Sequence, residues 1–154
     1  DGKQYPLEKM TNLADMLNNS GKYKVLLFGG PADVEALNDM AANRKHITNI
    51  AGLFRFAEEL KLISHLDLMV SMDSGNGHLA AMFGVNVITL WGATHPYAGF
   101  VPFNQSFNNQ IFPDIEKYPL LPTSIYGNKI VPGYENVKDS ISVNTVFERI
   151  SATA

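Results

Sequence analysis

The stretch Asp67-Leu-Met-Val-Ser-Met-Asp-Ser-Gly-Asn-Gly-His-Leu-Ala-Ala-Met-Phe-Gly84 carries the reading of the whole chain. An apolar run stops at Asp73-Ser74-Gly75, and a helical pattern bearing His78 starts at once. That order predicts a strand feeding a helix through a tight turn. Such a joint aims backbone N–H groups and the positive end of a helix dipole at one point, which suits a phosphate. Asp73 and Ser74 suit plain helix capping as well, and His78 falls in the first helical turn.

The same alternation extends outward. Leu7, Met10, Leu13, Ala14 and Leu17 have helical spacing, which predicts a helix over 6–19 with Pro6 in its first turn. A short apolar run over 24–28 ends at Gly29-Gly30-Pro31, and helical spacing returns over 33–44. A weak strand over 47–50, a helix over 56–66, a buried strand over 68–72, a helix over 77–83 stopped by Gly84 and a strand over 85–91 complete the pattern. It predicts an α/β fold: Rossmann-like, three layers (α/β/α), one mostly parallel sheet, ligands beyond the carboxyl ends of its strands. Gly29-Gly30, Gly52, Asp73-Ser74-Gly75 and Gly92 all fall at such ends. Residues 94–133 lose the pattern to prolines, aromatics and asparagines. Irregular structure packed by its own aromatics is expected there, with one short edge strand over 111–115. Ser142 reads as the N-cap of a last helix.

The chain has 154 residues, 45% of them hydrophobic and 18% charged, which suits a single domain with a sizeable core. With no cysteine, thiolate metal sites, disulfides and thiol nucleophiles are excluded, and the cytoplasm is the default expectation. No apolar run approaches the roughly 18 residues that span a bilayer. The net charge of −3 argues against a nucleic-acid partner. No Lys or Arg occurs from Leu62 to Glu116, so a phosphate at the Asp73 joint must use amides, His78 or a distant cation, for which Lys3 is the candidate.

Five blocks in order, Lys3-Gln-Tyr-Pro, Leu27-Phe-Gly-Gly-Pro, Asn49-Ile-Ala-Gly, Asp73-Ser-Gly-Asn-Gly-His-Leu-Ala and Leu90-Trp-Gly-Ala-Thr-His-Pro, resemble glycosyltransferase family 9, the heptosyltransferases of lipopolysaccharide inner-core synthesis. Proteins of that family have two Rossmann-like domains in the GT-B arrangement. Residues 1–154 resemble the carboxyl-terminal, nucleotide-sugar-binding one, with the amino-terminal acceptor domain absent.

Position by position, the resemblance implies that Ser74 and Gly75, with His78, contact the donor diphosphate. Lys3 supplies positive charge, and Asp73 shapes the turn near the donor sugar. It also implies that Asp33 or Glu35 holds the ribose, beside Gly29 and Gly30, and that Leu53 and Phe54 lodge the adenine. Leu53, Phe54 and Phe56 read by themselves as partly core rather than purely as an adenine shelf. Tyr97 and Phe100 are candidates to border the sugar, and His95 reads as a loop residue. The implied chemistry is inverting heptose transfer from ADP-heptose to a lipid A-linked core sugar, with no metal and no cofactor. Fixed dipoles and cations stabilise the leaving diphosphate while a base takes the acceptor proton. That base lies on the missing domain, so no catalytic residue is expected here. The intact enzyme is expected in the cytoplasm, with peripheral contact at the inner membrane's cytoplasmic face.

Two departures accompany the resemblance. The family's first central strand precedes its Lys-x-Trp-Pro block, so its slot is left to truncation, to closing-up of neighbouring strands or to another chain. Residues 100–134 match poorly. Competing readings are a UDP-sugar transferase or epimerase on the same fold, and a nucleotide-binding module without catalysis. A flavodoxin-like phosphoacceptor is disfavoured, because the strand before Asp73 lacks an acidic cluster.

Overall fold

A computed structural model describes residues 3–129 and 131–154, which fall into two compact units. One is Leu7–Leu62; the other joins the described part of Asp1–Pro6 to Ile63–Ala154.

In the Leu7–Leu62 unit, α1 (Leu7–Ser20), β1 (Val25–Leu27), α2 (Val34–Ala41), β2 (Ile47–Asn49) and α3, which starts at Phe56 and ends at Ile63, follow one another. Strands β1 and β2 run parallel in register, Val25 opposite Ile47 and Leu27 opposite Asn49. Ala14, Leu27, Met40 and Ile47 are buried together, with Met10, Val25, Leu37 and Ala41 packed around them. Helix α2 stops three residues short of the expected 44. Ala42 swings to ψ 133° and Asn43 takes a left-handed φ of 60°, a conformation asparagine tolerates better than most residues. The freed Arg44 then reaches Asp15 of α1 through Nε and Nη2, at 2.6 and 2.9 Å. This two-point bond holds the Asp15 carboxyl below the usual carboxylate range.

In the other unit, β3 (Leu68–Met72), α4 (Gly75–Met82), β4 (Asn86–Leu90), β5 (Gln110–Ile111) and α5 (Val143–Thr153) build a second parallel sheet of order β3-β4-β5. Leu68 pairs with Asn86 and Met72 with Leu90. Val87, Ile88, Thr89 and Leu90 are consecutive and all buried, so both faces of β4 are covered. Helix α4 packs on β3 and β4, and α5 on β4. Each fully buried Val, Ile or Leu contributes about 1.5–3 kcal/mol, which makes β4 the spine of this unit. Gly84 (φ 77°) turns the chain out of α4, and the Ser142 hydroxyl caps α5 by accepting from the Thr145 N–H.

Parallel α/β architecture is as expected, and all three strand pairings are parallel. Among the described residues, however, the strands form two ladders rather than one sheet. Helix α4 begins at Gly75, two residues earlier than its periodicity predicts. Strand β5 ends at Ile111 rather than 115, since Pro113 brings no N–H to extend a ladder.

Candidate functional site

The joint between β3 and α4 gathers side chains from three parts of the sequence. Because Met72 pairs with Leu90, the turns after β3 and β4 leave the sheet side by side. Asp73, buried at 9% exposure, lies on the first and Thr94 on the second. The Thr94 hydroxyl donates to Asp73 Oδ2 at 3.0 Å. The same oxygen receives Lys3 Nζ at 2.8 Å.

Lys3 is brought there by Tyr5. The Tyr5 backbone N–H donates to Met72 Sδ at 3.0 Å, and its hydroxyl donates to the Ile141 carbonyl at 3.0 Å. Burial, with Asp139 nearby, pushes the Tyr5 phenol up to about 12. A segment near Gly127 closes the other side. The Thr123 N–H donates to the Ala93 carbonyl at 3.0 Å, and Gly127 sits so close that a Cβ there would lie 2.9 Å from Thr94 Cγ2 and 3.7 Å from Lys3 Cγ.

Above this polar knot, the start of α4 is open. Ser74 is its N-cap residue, yet its side chain does not cap the helix; its hydroxyl bonds that of Ser71 at 3.0 Å. Plain capping by Ser74 is therefore not the role the structure gives it. An uncapped first turn leaves N–H groups seeking an acceptor. Ser74 and Gly75 are exposed, and a Cβ on Gly75 would meet nothing within 4 Å. Gly77 is the opposite case, since a Cβ there would press on Ser71 Cβ at 3.2 Å and on buried Val87. One glycine keeps the outer surface clear, and the other lets α4 approach the sheet. His78 is half-buried in the first turn.

The nucleoside candidates belong to the Leu7–Leu62 unit. The Gly30 N–H donates to Asp33 Oδ2 at 2.8 Å, so Asp33 is engaged by its own turn while Glu35 is exposed. A Cβ on Gly29 would lie 2.6 Å from Leu37 Cδ1 and 3.0 Å from Asp33 Cβ, so the turn runs close against Leu37 of α2 and Asp33. Leu53 and Phe54, exposed at 67% and 43%, and Phe56 at 63%, are surface residues and not core.

His95 is more than a loop residue. It is 3% exposed, its Nδ1 accepts from the Tyr97 N–H at 3.3 Å, and burial lowers its pKa. Thr94 was not singled out from the sequence; only its place in the Leu90-Trp-Gly-Ala-Thr-His-Pro block hinted at a role. No group of three His, Asp or Glu side chains suited to a metal ion occurs among the described residues, and no helix there is long and apolar enough to cross a membrane.

Comparison with known proteins places the chain among relatives. Lipopolysaccharide heptosyltransferase 3 of Escherichia coli K12 is 38% identical over 91 residues, covering 56% of this chain and 26% of that protein. Lipopolysaccharide heptosyltransferase 2 of Salmonella typhimurium is 32% identical over 99 residues, covering 61% and 28%. The chain thus spans about a quarter of the length of the curated relatives it matches. Among solved structures, E. coli ADP-heptose lps heptosyltransferase II superposes with a TM-score of 0.72 at 23% identity, covering 99% of this chain and 42% of that one. E. coli heptosyltransferase WaaC with ADP-2-deoxy-2-fluoro heptose superposes with a TM-score of 0.71 at 21% identity, covering 100% and 40%. These share the fold, and the match falls in their carboxyl-terminal portion. The description "Glycosyltransferase family 9 (heptosyltransferase)" matches residues 1–121. With its α/β fold and the β3–α4 joint in place, the chain belongs to glycosyltransferase family 9.

Proposed function

We propose that this chain is the donor-binding part of an inverting glycosyltransferase, and that it holds the diphosphate of ADP-heptose at the start of α4. The observation that carries the reading is the exposed, uncapped first turn at Ser74-Gly75, set over a carboxylate already neutralised by Lys3. An unpaired Asp73 would repel a diphosphate. With Lys3 at 2.8 Å and the Thr94 hydroxyl on the same oxygen, its charge is largely balanced, and the helix dipole acts on the ligand.

In this account the Ser74 and Gly75 amides bind the diphosphate, His78 adds a contact, and Lys3 offers positive charge through its exposed side. Asp73 fixes the turn and orients Lys3. As the glycosidic bond breaks, charge builds on the leaving diphosphate, where fixed donors lower the barrier without reorganising. For the nucleoside we assign Glu35 to the ribose rather than Asp33, whose carboxylate is already bonded to the Gly30 amide. Gly29 and Gly30 form the adjoining turn, and Leu53 and Phe54 offer exposed apolar surface to the base. The proton-accepting base belongs to an amino-terminal domain, the acceptor being a lipid A-linked core sugar. The chain alone binds donor without transferring it.

Isothermal calorimetry with ADP, ADP-heptose and UDP tests the reading. It requires ADP and ADP-heptose to bind and UDP to bind more weakly. A chain that takes UDP and ignores ADP belongs to a UDP-sugar enzyme. Transferase activity after joining the chain to a family amino-terminal domain separates an enzyme part from a non-catalytic module.

A further inference from the structure

Ser71 is the polar residue of an otherwise apolar strand, Leu68-Met-Val-Ser-Met72, and the donor reading assigns it no role. It is buried at 7% exposure, where a hydroxyl is unfavourable unless it is hydrogen-bonded. Its Oγ donates to the Met72 carbonyl at 2.7 Å and lies 3.0 Å from Ser74 Oγ. A hydroxyl has one proton to give. Because the Ser71 proton goes to Met72, the Ser74 hydroxyl is the donor between the two serines, and its proton is directed at the strand.

That bond competes with another use of the Ser74 side chain. Serine at an N-cap ordinarily accepts from the backbone N–H of the second or third helical residue, which in α4 are Asn76 and Gly77. The Ser74 backbone is extended, with φ −147° and ψ 166°, as capping requires, yet no side-chain cap forms. The hydroxyl is withheld by its bond to Ser71. Gly77 lets the two serines meet, since a Cβ there would lie 3.1 Å from Ser71 Oγ and press the first turn away from the strand.

A capping hydroxyl and a diphosphate would contend for one turn of helix. A serine oxygen on the Asn76 or Gly77 N–H satisfies donors that an anion would otherwise take, and it lies across the approach to the amides before them. We infer that Ser71 is a positioning residue for the donor: it holds the Ser74 hydroxyl against β3 and so keeps the start of α4 uncapped and open to the diphosphate. The ligand in this inference rests on the donor reading, whereas the withheld cap does not. Ser71 acts through Ser74 and touches no ligand. The turn forgoes the stability of a cap, and binding gains by it.

Two measurements on the whole chain test this: amide hydrogen exchange followed by NMR without ligand, and calorimetry with ADP. Ser71→Ala frees the Ser74 hydroxyl to cap. Exchange at the Asn76 or Gly77 amide should then slow about fivefold and ADP should bind about fivefold more weakly, the scale of a serine cap. Both effects should vanish when Ser71→Ala is added to Ser74→Ala, which has no hydroxyl to release. A merely structural Ser71 would instead speed exchange on removal and lower the thermal midpoint. Ser71→Cys, close in size and a weak acceptor, should behave like Ser71→Ala and serves if the alanine variant does not fold. Exchange that stays the same or quickens at both amides overturns the inference. So does ADP affinity that is undiminished by Ser71→Ala, or that falls equally on the Ser74→Ala background. A native chain that binds no ADP ends the donor reading instead, and the exchange result still decides whether Ser71 withholds the cap.

Discussion

Asp73 is a buried carboxylate with two donors on one oxygen, Lys3 at 2.8 Å and Thr94 at 3.0 Å. If Lys3 both balances Asp73 and faces the diphosphate, Lys3→Ala should weaken ADP binding about 10- to 100-fold, the range of a lost charge-assisted hydrogen bond. Adding Asp73→Asn should restore part of that loss by removing the uncompensated charge, and calorimetry on the double variant checks it. A double variant weaker than Lys3→Ala would mean that Asp73 acts on the ligand directly. The two glycines of α4 separate binding from packing. Gly75→Ala meets open space and should leave the thermal midpoint unchanged while weakening ADP. Gly77→Ala pushes on Ser71 and Val87 and should cost about 1–3 kcal/mol of stability, the price of overpacking.

His95 gives a pH prediction at the same scale. Burial lowers its folded pKa, while unfolding returns it to about 6.5. The unfolded chain therefore binds the proton first as pH falls. The stability that rests on neutral His95 is complete above about 6.5 and drains away as pH drops towards the folded value. Thermal unfolding followed from about pH 7.5 down to about pH 5 should show a falling midpoint. His95→Asn keeps an acceptor for the Tyr97 N–H and should flatten that part of the slope; an unchanged slope would assign it to other groups.

Among elements, β3 was legible to the residue because it is an unbroken apolar run with a sharp polar end. Helix α4 was legible in kind but not at its start. Its first turn, Gly75-Asn76-Gly77, carries no apolar periodicity, and backbone geometry alone extends the helix there. The nucleoside turn misled differently, since Gly29-Gly30 and Asp33 look like a ligand loop while their first tasks are internal, packing on Leu37 and an Asp33–Gly30 hydrogen bond. The segment over Thr94 was not legible at all. Thr123 meets Ala93 across thirty positions, and no local pattern encodes that contact. Gly127 has φ 66° and stands against the Thr94 methyl. Gly127→Ala should therefore destabilise the fold by about 1–3 kcal/mol through backbone strain and the clash. It should also weaken ADP binding, because Thr94 cannot yield without releasing Asp73.

For the molecule as a whole, family and fold class were readable because five short blocks fall in order and the helix–strand alternation is strong. The resemblance left the slot of the family's first central strand open, and among the described residues the strands form two ladders; strand propensity speaks to each strand alone and does not say which edges meet. Composition predicts that the aromatics of residues 94–133 pack on one another, whereas Tyr97 and Phe107 are exposed at 80% and 50%. The central claim is that the first turn of α4 receives a diphosphate, and amide NMR tests it most directly. Titration with ADP should shift the Ser74, Gly75 and Asn76 amide resonances strongly and saturably, and pyrophosphate should move the same three. ADP that binds while leaving those amides unmoved, or that fails to bind at all, would contradict the account.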